Sequence, residues 1–213
     1  MQINTLRPSH RFVLRALISV QKPARVIEFG AGLNSTQMLH ELAPSFTSYE
    51  SDPEWLDKIK TEVPGVDIRP LPLDVASYCI YLYQVPPETQ RRIQADIARV
   101  VEDADLVFID GFACMRIYAL LVFLGHFNVC VCHDTEKALY WYRKAEKHME
   151  GYVKVTVIPP NKHPYIDVIF APQSQGLIPD FMAALQRECL DDYGDYADVV
   201  VKSITKSNAS DEE

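Results

Sequence analysis

Short apolar runs alternate with longer amphipathic stretches along most of the chain. Val13, Leu14, Leu17 and Ile18 recur at helical spacing near the start, with Pro23 beyond them. Arg25 to Phe29 (RVIEF) reads as a first strand, Ser35 to Ala43 as a helix stopped by Pro44, and Phe46 to Glu50 (FTSYE) as a second strand. Pro53 to Glu62 follows as a helix with Asp52 as its N-cap and Pro53 in its first turn. Val66 to Pro70 is a weaker third strand, and a Tyr- and Pro-rich stretch runs from Pro72 to Pro87. Glu88 to Val101 carries Ile93, Ile97, Val100 and Val101 on one helical side. Asp105 to Ile109 (DLVFI) and Asn128 to Cys132 (NVCVC) are almost wholly apolar, as strands buried on both faces are. A helix from Cys114 to Leu124 lies between them, ending at Gly125. Thr135 to Met149 is expected as a helix, Tyr152 to Ile158 and Tyr165 to Phe170 as strands, and Leu177 to Leu190 as a last helix.

This alternation predicts an α/β fold of Rossmann-like type. The expectation is a parallel seven-stranded sheet with one antiparallel strand and helices on both faces. Residues 1–190 are expected to form one domain. Residues 191–213 carry seven acids against two lysines and are expected as a flexible acidic tail.

Composition narrows the function more than the fold. The formal charge is −8, and no dense Lys/Arg cluster supplies the phosphate neutralisation that a nucleic-acid partner needs. The apolar run around Ala119 to Leu124 is far short of the ~20 residues of a membrane span. The first residues lack a basic start followed by an apolar stretch, so the expected location is cytoplasmic. Five cysteines cannot all pair with one another, and reduced, buried thiols are expected. Oligomeric state is open, a homo-oligomer included.

In open parallel sheets, ligands bind beyond the C-terminal strand ends. After the first strand stands Glu28-Phe29-Gly30-Ala31-Gly32-Leu33-Asn34-Ser35-Thr36. Gly30 and Gly32 permit a tight turn and close approach of a ligand, while Asn34, Ser35 and Thr36 offer helix caps or ligand contacts. Glu50 ends the second strand twenty residues after Gly30, the spacing at which a carboxylate accepts both hydroxyls of a ribose. A dinucleotide cofactor would want a third glycine where Ser35 stands, and an acid at Glu28 would repel its pyrophosphate.

VIEFGAGLNST followed by SYESDPEW resembles the first two motifs of class I S-adenosylmethionine-dependent methyltransferases. The resemblance implies that Glu28 and the turn Gly30, Ala31, Gly32, with Asn34, Ser35 and Thr36, hold the methionine part of S-adenosylmethionine. It also implies that Glu50 and Ser51 hold the ribose and that Asp74 and Val75 flank the adenine, with Asp110 closing the cofactor site.

Asp110 follows the fourth strand, and His133-Asp134 follow the fifth. Adjacent strands lie about 4.8 Å apart, so the two aspartates could share a divalent cation such as magnesium. His133 is the candidate general base. LVFIDG and VCVCHDTEK resemble the matching region of methyltransferases acting on oxygen. In the catechol-type branch an asparagine and a lysine occupy the places of Thr135 and Ala113, so the His-Asp pair is closer to sugar-type enzymes. The motif of amine methyltransferases after the fourth strand and the Pro-Cys of cytosine-carbon enzymes are both missing. The expected acceptor is therefore an oxygen of a small molecule or a sugar. Lys162, His163 and Tyr165, in the loop between the last two strands, and Tyr81, with Tyr78 and Tyr83, are candidate substrate contacts. A cofactor-binding protein without catalysis and an NAD-dependent oxidoreductase are the rival readings.

Overall fold

In a computed structural model the described residues are 10–71, 86–111, 115–136, 142–162 and 164–205. Eight strands form one sheet: β1 (Val26–Phe29), β2 (Phe46–Glu50), β3 (Ile68–Pro70), β4 (Ala104–Ile109), β5 (Phe127–His133), β6 (Val153–Ile158), β7 (Ile166–Phe170) and β8 (Asp198–Ser203). Their order is β3-β2-β1-β4-β5-β7-β6-β8. Neighbours from β3 to β5 are parallel, whereas β7 is antiparallel to both β5 and β6, and β8 is antiparallel to β6.

The fold class therefore stands, with two corrections. The sheet has an eighth strand, and two strands, β7 and β8, run against the rest. Residues 198–203 belong to the sheet rather than to a loose tail. The acids around them hide a β-branched run, Val199-Val200-Val201, in a strand that pairs along the whole of β6.

The helices are α1 (His10–Gln21), α2 (Leu33–Leu42), α3 (Pro53–Glu62), α4 (Pro87–Ala98), α5 (Met115–Phe123) and α6 (Ile178–Tyr193). The stretch expected as a long helix from Thr135 holds only a short 3-10 helix, Tyr142–His148, among its described residues. Side chains alternate across each central strand. Ile27, Val107 and Cys130 meet Ile93 and Ile97 of α4 and Phe123 of α5. Val26, Leu106 and Val129 meet Phe12 and Leu17 of α1 and Phe181 and Leu185 of α6. Cys130, Cys132 and Cys189 are buried free thiols, as expected. Among the described residues no helix is long and apolar enough to cross a membrane.

Strand order reverses between β1 and β4, so their C-terminal ends open the crevice where such sheets take ligands. There Gly30 turns with φ of 94°. A Cβ on Gly30 would stand 2.1 Å from Gly111 Cα and 2.3 Å from its nitrogen. Gly30 is thus needed for contact between two backbones and for a left-handed turn, rather than for approach of a ligand alone.

We expect Gly30→Ala to lower unfolding stability by at least about 3 kcal/mol, from backbone strain plus a clash that no side-chain movement relieves. Gly111→Ala should be milder, because its added Cβ would meet the Phe29 ring at 3.1 Å. Urea unfolding of both variants checks the order.

Candidate active site

The bend after β1 is held from three sides. Gly30 N–H donates to the Tyr49 carbonyl at 2.8 Å, and Asp110 N–H donates to the Phe29 carbonyl at 2.9 Å. The Trp55 indole donates to the Ala31 carbonyl at 2.7 Å. Trp55 was not legible as a site residue, because its helical position suggests only packing.

Glu50 points at this bend. One carboxylate oxygen accepts from Ala31 N–H at 3.0 Å, and the other accepts from Ser51 N–H at 2.6 Å and Asp52 N–H at 2.8 Å. The Ser51 hydroxyl adds a longer bond to the same oxygen at 3.3 Å, whereas the oxygen facing Ala31 has one donor and keeps an acceptor position for a ribose hydroxyl. Asn34 is exposed in the first turn of α2 and lines a polar cavity of about 250 Å³ with Arg11, Arg15 and Gln37.

Three residues assigned to the ligand lie beneath the bend instead. Glu28 is fully buried and accepts from Thr36 Oγ1 at 2.5 Å and from Ser48 Oγ at 2.6 Å. Ser35 and Thr36 are buried too, and α2 starts at Leu33 with Gly32 as its cap. The Thr36 and Ser48 hydroxyls both donate to one oxygen of the Glu28 carboxylate and so offset part of the cost of burying it. Glu28, Ser35 and Thr36 therefore support the turn, whereas Gly32, Glu50 and Ser51 are half-buried.

At the ends of β4 and β5, His133 Nδ1 lies 2.9 Å from Asp110 Oδ1. A carboxylate only accepts, so Nδ1 is the donor and Nε2 the basic nitrogen. Arg116, a lone charge in the apolar α5, enters this cluster. It reaches Asp110 Oδ1 at 2.8 Å and Asp134 Oδ2 at 3.3 Å, and donates to the carbonyls of Gly111 at 2.6 Å and His133 at 2.8 Å. Burial opposes ionisation of Asp110, but the hydrogen bond and charge of His133 and the charge of Arg116 outweigh it. Asp110 is held below the usual carboxylate range.

A shared magnesium ion between Asp110 and Asp134 does not fit, because the guanidinium already bridges them. The group whose donor atoms lie within 4.8 Å of one another is His10, Asp110 and His133. Two imidazoles and one carboxylate suit a transition metal rather than magnesium. His10 is 7% exposed, and among the described residues neither of its ring nitrogens has a hydrogen-bond partner. Burial, then the nearby His133, lowers its pKa to about 4, so it is neutral at pH 7. Nothing in the sequence pattern marked His10, whereas Arg116 was visible as the one charge between Met115 and Leu124.

The β6–β7 turn reaches the same rim, since β5 and β7 pair His133 with Ile166. Thr135 N–H donates to the Tyr165 carbonyl at 3.1 Å, and Tyr165 N–H donates to Glu136 at 2.8 Å. Lys162 is exposed in that turn with φ of 65°. Tyr78, Tyr81, Tyr83, Asp74, Val75, Ala113 and His163 lie outside the described residues.

The fold matches that of solved methyltransferases. An O-methyltransferase from Bacillus cereus, in complex with S-adenosylhomocysteine, superposes with a TM-score of 0.55 at 14% identity, over 79% of this chain and 84% of that one. A methyltransferase from Podospora anserina, also bound to S-adenosylhomocysteine, gives 0.52 at 10% identity, over 78% and 80%. The chain has the class I methyltransferase fold. No protein-family model and no curated protein sequence matches it. The strand order brings the C-terminal ends of β2, β1 and β4, which carry Glu50, the glycine bend and Asp110, side by side.

Burial raises the pKa of Glu28 to about 7 against three hydroxyl hydrogen bonds that favour ionisation. Unfolded, it titrates near 4.5. Its contribution is therefore fully present below about pH 4.5 and is lost as pH rises through about 7, a loss on the order of 3 kcal/mol. Glu28→Gln should lack that loss. Relative to the parent protein, the variant should gain stability between pH 5 and pH 8 in urea unfolding, and equal slopes would refute the assignment.

Proposed function

We propose that the protein is an S-adenosylmethionine-dependent methyltransferase that methylates an oxygen of a small molecule or a sugar. The observation that carries the reading is Glu50, whose carboxylate is aimed at the glycine bend at the strand-order reversal. A carboxylate there suits ribose hydroxyls, and the bend offers backbone N–H groups to an amino-acid carboxylate. S-adenosylmethionine supplies an electrophilic methyl group on sulfur.

The acceptor side is built from Asp110, His133 and Asp134. Asp110 fixes the His133 tautomer, so Nε2 takes the proton as the acceptor oxygen bonds to the methyl carbon. The imidazolium so formed faces Asp110 at 2.9 Å and Asp134 at 3.8 Å. Arg116 holds both carboxylates, and the mechanism runs without a metal. Lys162 and Tyr165, with Tyr81 and His163, are the proposed acceptor contacts, and Asp74 and Val75 the proposed adenine contacts. A cytoplasmic location accords with this chemistry.

Thermal-shift measurements should show stabilisation by S-adenosylhomocysteine of about 2.7 kcal/mol at a hundred times its dissociation constant, and none by NADH. Glu50→Ala should weaken that binding at least about tenfold, the loss of about 1.4 kcal/mol. Stabilisation by NADH instead would replace this reading with an oxidoreductase.

With a cognate acceptor, His133→Ala should lower kcat about a hundredfold or more while leaving S-adenosylhomocysteine affinity unchanged. Turnover retained across pH would remove His133 as the base.

A further inference from the structure

The two edges of the sheet are built differently. At one end β3 is only three residues long and finishes at Pro70, which has no N–H to offer a partner. At the other end β8 is six residues long and pairs on one side only, with β6. It carries no proline, and its middle is Val199-Val200-Val201. Val200 is 56% exposed and Val201 is 53% exposed. Such an edge is an invitation to another strand unless charge, a bulge or a covering element blunts it. Its only charges are Asp198 and Lys202, two residues either side of Val200.

We propose that β8 is a dimerisation strand, which joins the β8 of a second copy of this chain in an antiparallel pair centred on Val200. The charges commit the occupant and the register. In a twofold pair centred on Val200, Asp198 of each copy faces Lys202 of the other, and Val199 faces Val201. A shift of one residue, centred on Val201, would set Lys202 against Val200 and leave Asp198 without a cation opposite. Among the described residues no ion pair holds Asp198, whereas Lys202 also reaches Glu146 at 2.7 Å from a side chain that is 42% exposed.

The two faces of the pair agree with this register. Val199 and Val201 share a face with Val157 and Val155, their buried partners on β6. Across the twofold axis, Val199 and Val201 of the second copy continue that valine row. On the opposite face, Val200 meets its own mate, flanked on both sides by an Asp198–Lys202 pair. Opposite charges and β-branched residues placed directly across from each other are both favourable in antiparallel pairs. The interface would fuse the two sheets into one, with each ligand crevice at β1 and β4 left open.

Sedimentation of the full chain at high micromolar concentration should give twice the monomer mass. Val200→Lys sets two lysines directly opposite each other and should weaken the dimer at least about tenfold. Asp198→Lys alone and Lys202→Asp alone should each sediment as monomers. An equimolar mixture of those two variants should restore the dimer, because each then supplies the charge that the other lacks. Thermal midpoints of the variants close to that of the parent confirm intact folds. A monomeric parent, a Val200→Lys variant that dimerises as tightly as the parent, or a mixture that stays monomeric would each overturn the proposal.

Discussion

The contact between Gly30 and the backbone at Gly111 sets the geometry of the crevice. Two chain segments leave neighbouring parallel strands there and pass closer than any side chain would allow. Because they touch, Phe29 can accept from Asp110 N–H, and the β4 end is keyed to the β1 bend. From that junction Glu50 reaches back to Ala31, and Asp110 reaches across to His133. The proposed cofactor side and the proposed acceptor side are thereby fixed relative to one another by backbone, the least deformable part of the fold.

Two buried charge problems are solved beside this junction, and in different ways. Glu28 meets no cation; three hydroxyls surround it and its ionisation is deferred to about pH 7. Asp110 and Asp134 are kept near a guanidinium whose side chain is 8% exposed. Arg116 is also committed to two carbonyls at the strand ends, so its geometry is set by four partners. Removing it would leave two neighbouring carboxylates with His133 alone to offset them, which is worse than never having buried them. The same guanidinium explains why the aspartate pair is no magnesium site.

Much of the frame was legible because periodicity reports burial directly. Pro53–Glu62 and Phe46–Glu50 fall where the pattern put them, with Asp52 capping through Glu54 and Trp55 N–H groups. Glu50 was legible through its distance from Gly30, since topology converts that spacing into proximity. What spacing could not convey was direction. Ser35 and Thr36 sit in the first turn of α2 but are buried, Thr36 donating to the carboxylate of Glu28 instead of capping the helix. Asp110 and Asp134 are neighbours as expected, but the partner between them comes from α5. β8 was masked by composition, the acids around it outweighing three consecutive valines.

The inward turn of Glu28 also changes the electrostatic argument about the ligand. As an exposed carboxylate it would have repelled a pyrophosphate by direct charge. Fully buried, and with a pKa of about 7, it carries only part of a charge near neutrality and faces no solvent. Discrimination against a dinucleotide must then come from the crevice surface. Glu50 is partly exposed there, and Asp110 is held ionised by His133 and Arg116. Ser35 fills the third glycine position with a buried side chain, so the start of α2 lacks the bare backbone on which a pyrophosphate is cradled. An acidic rim without that cradle favours a ligand whose charge near the reacting atom is positive, which a sulfonium satisfies and a pyrophosphate does not.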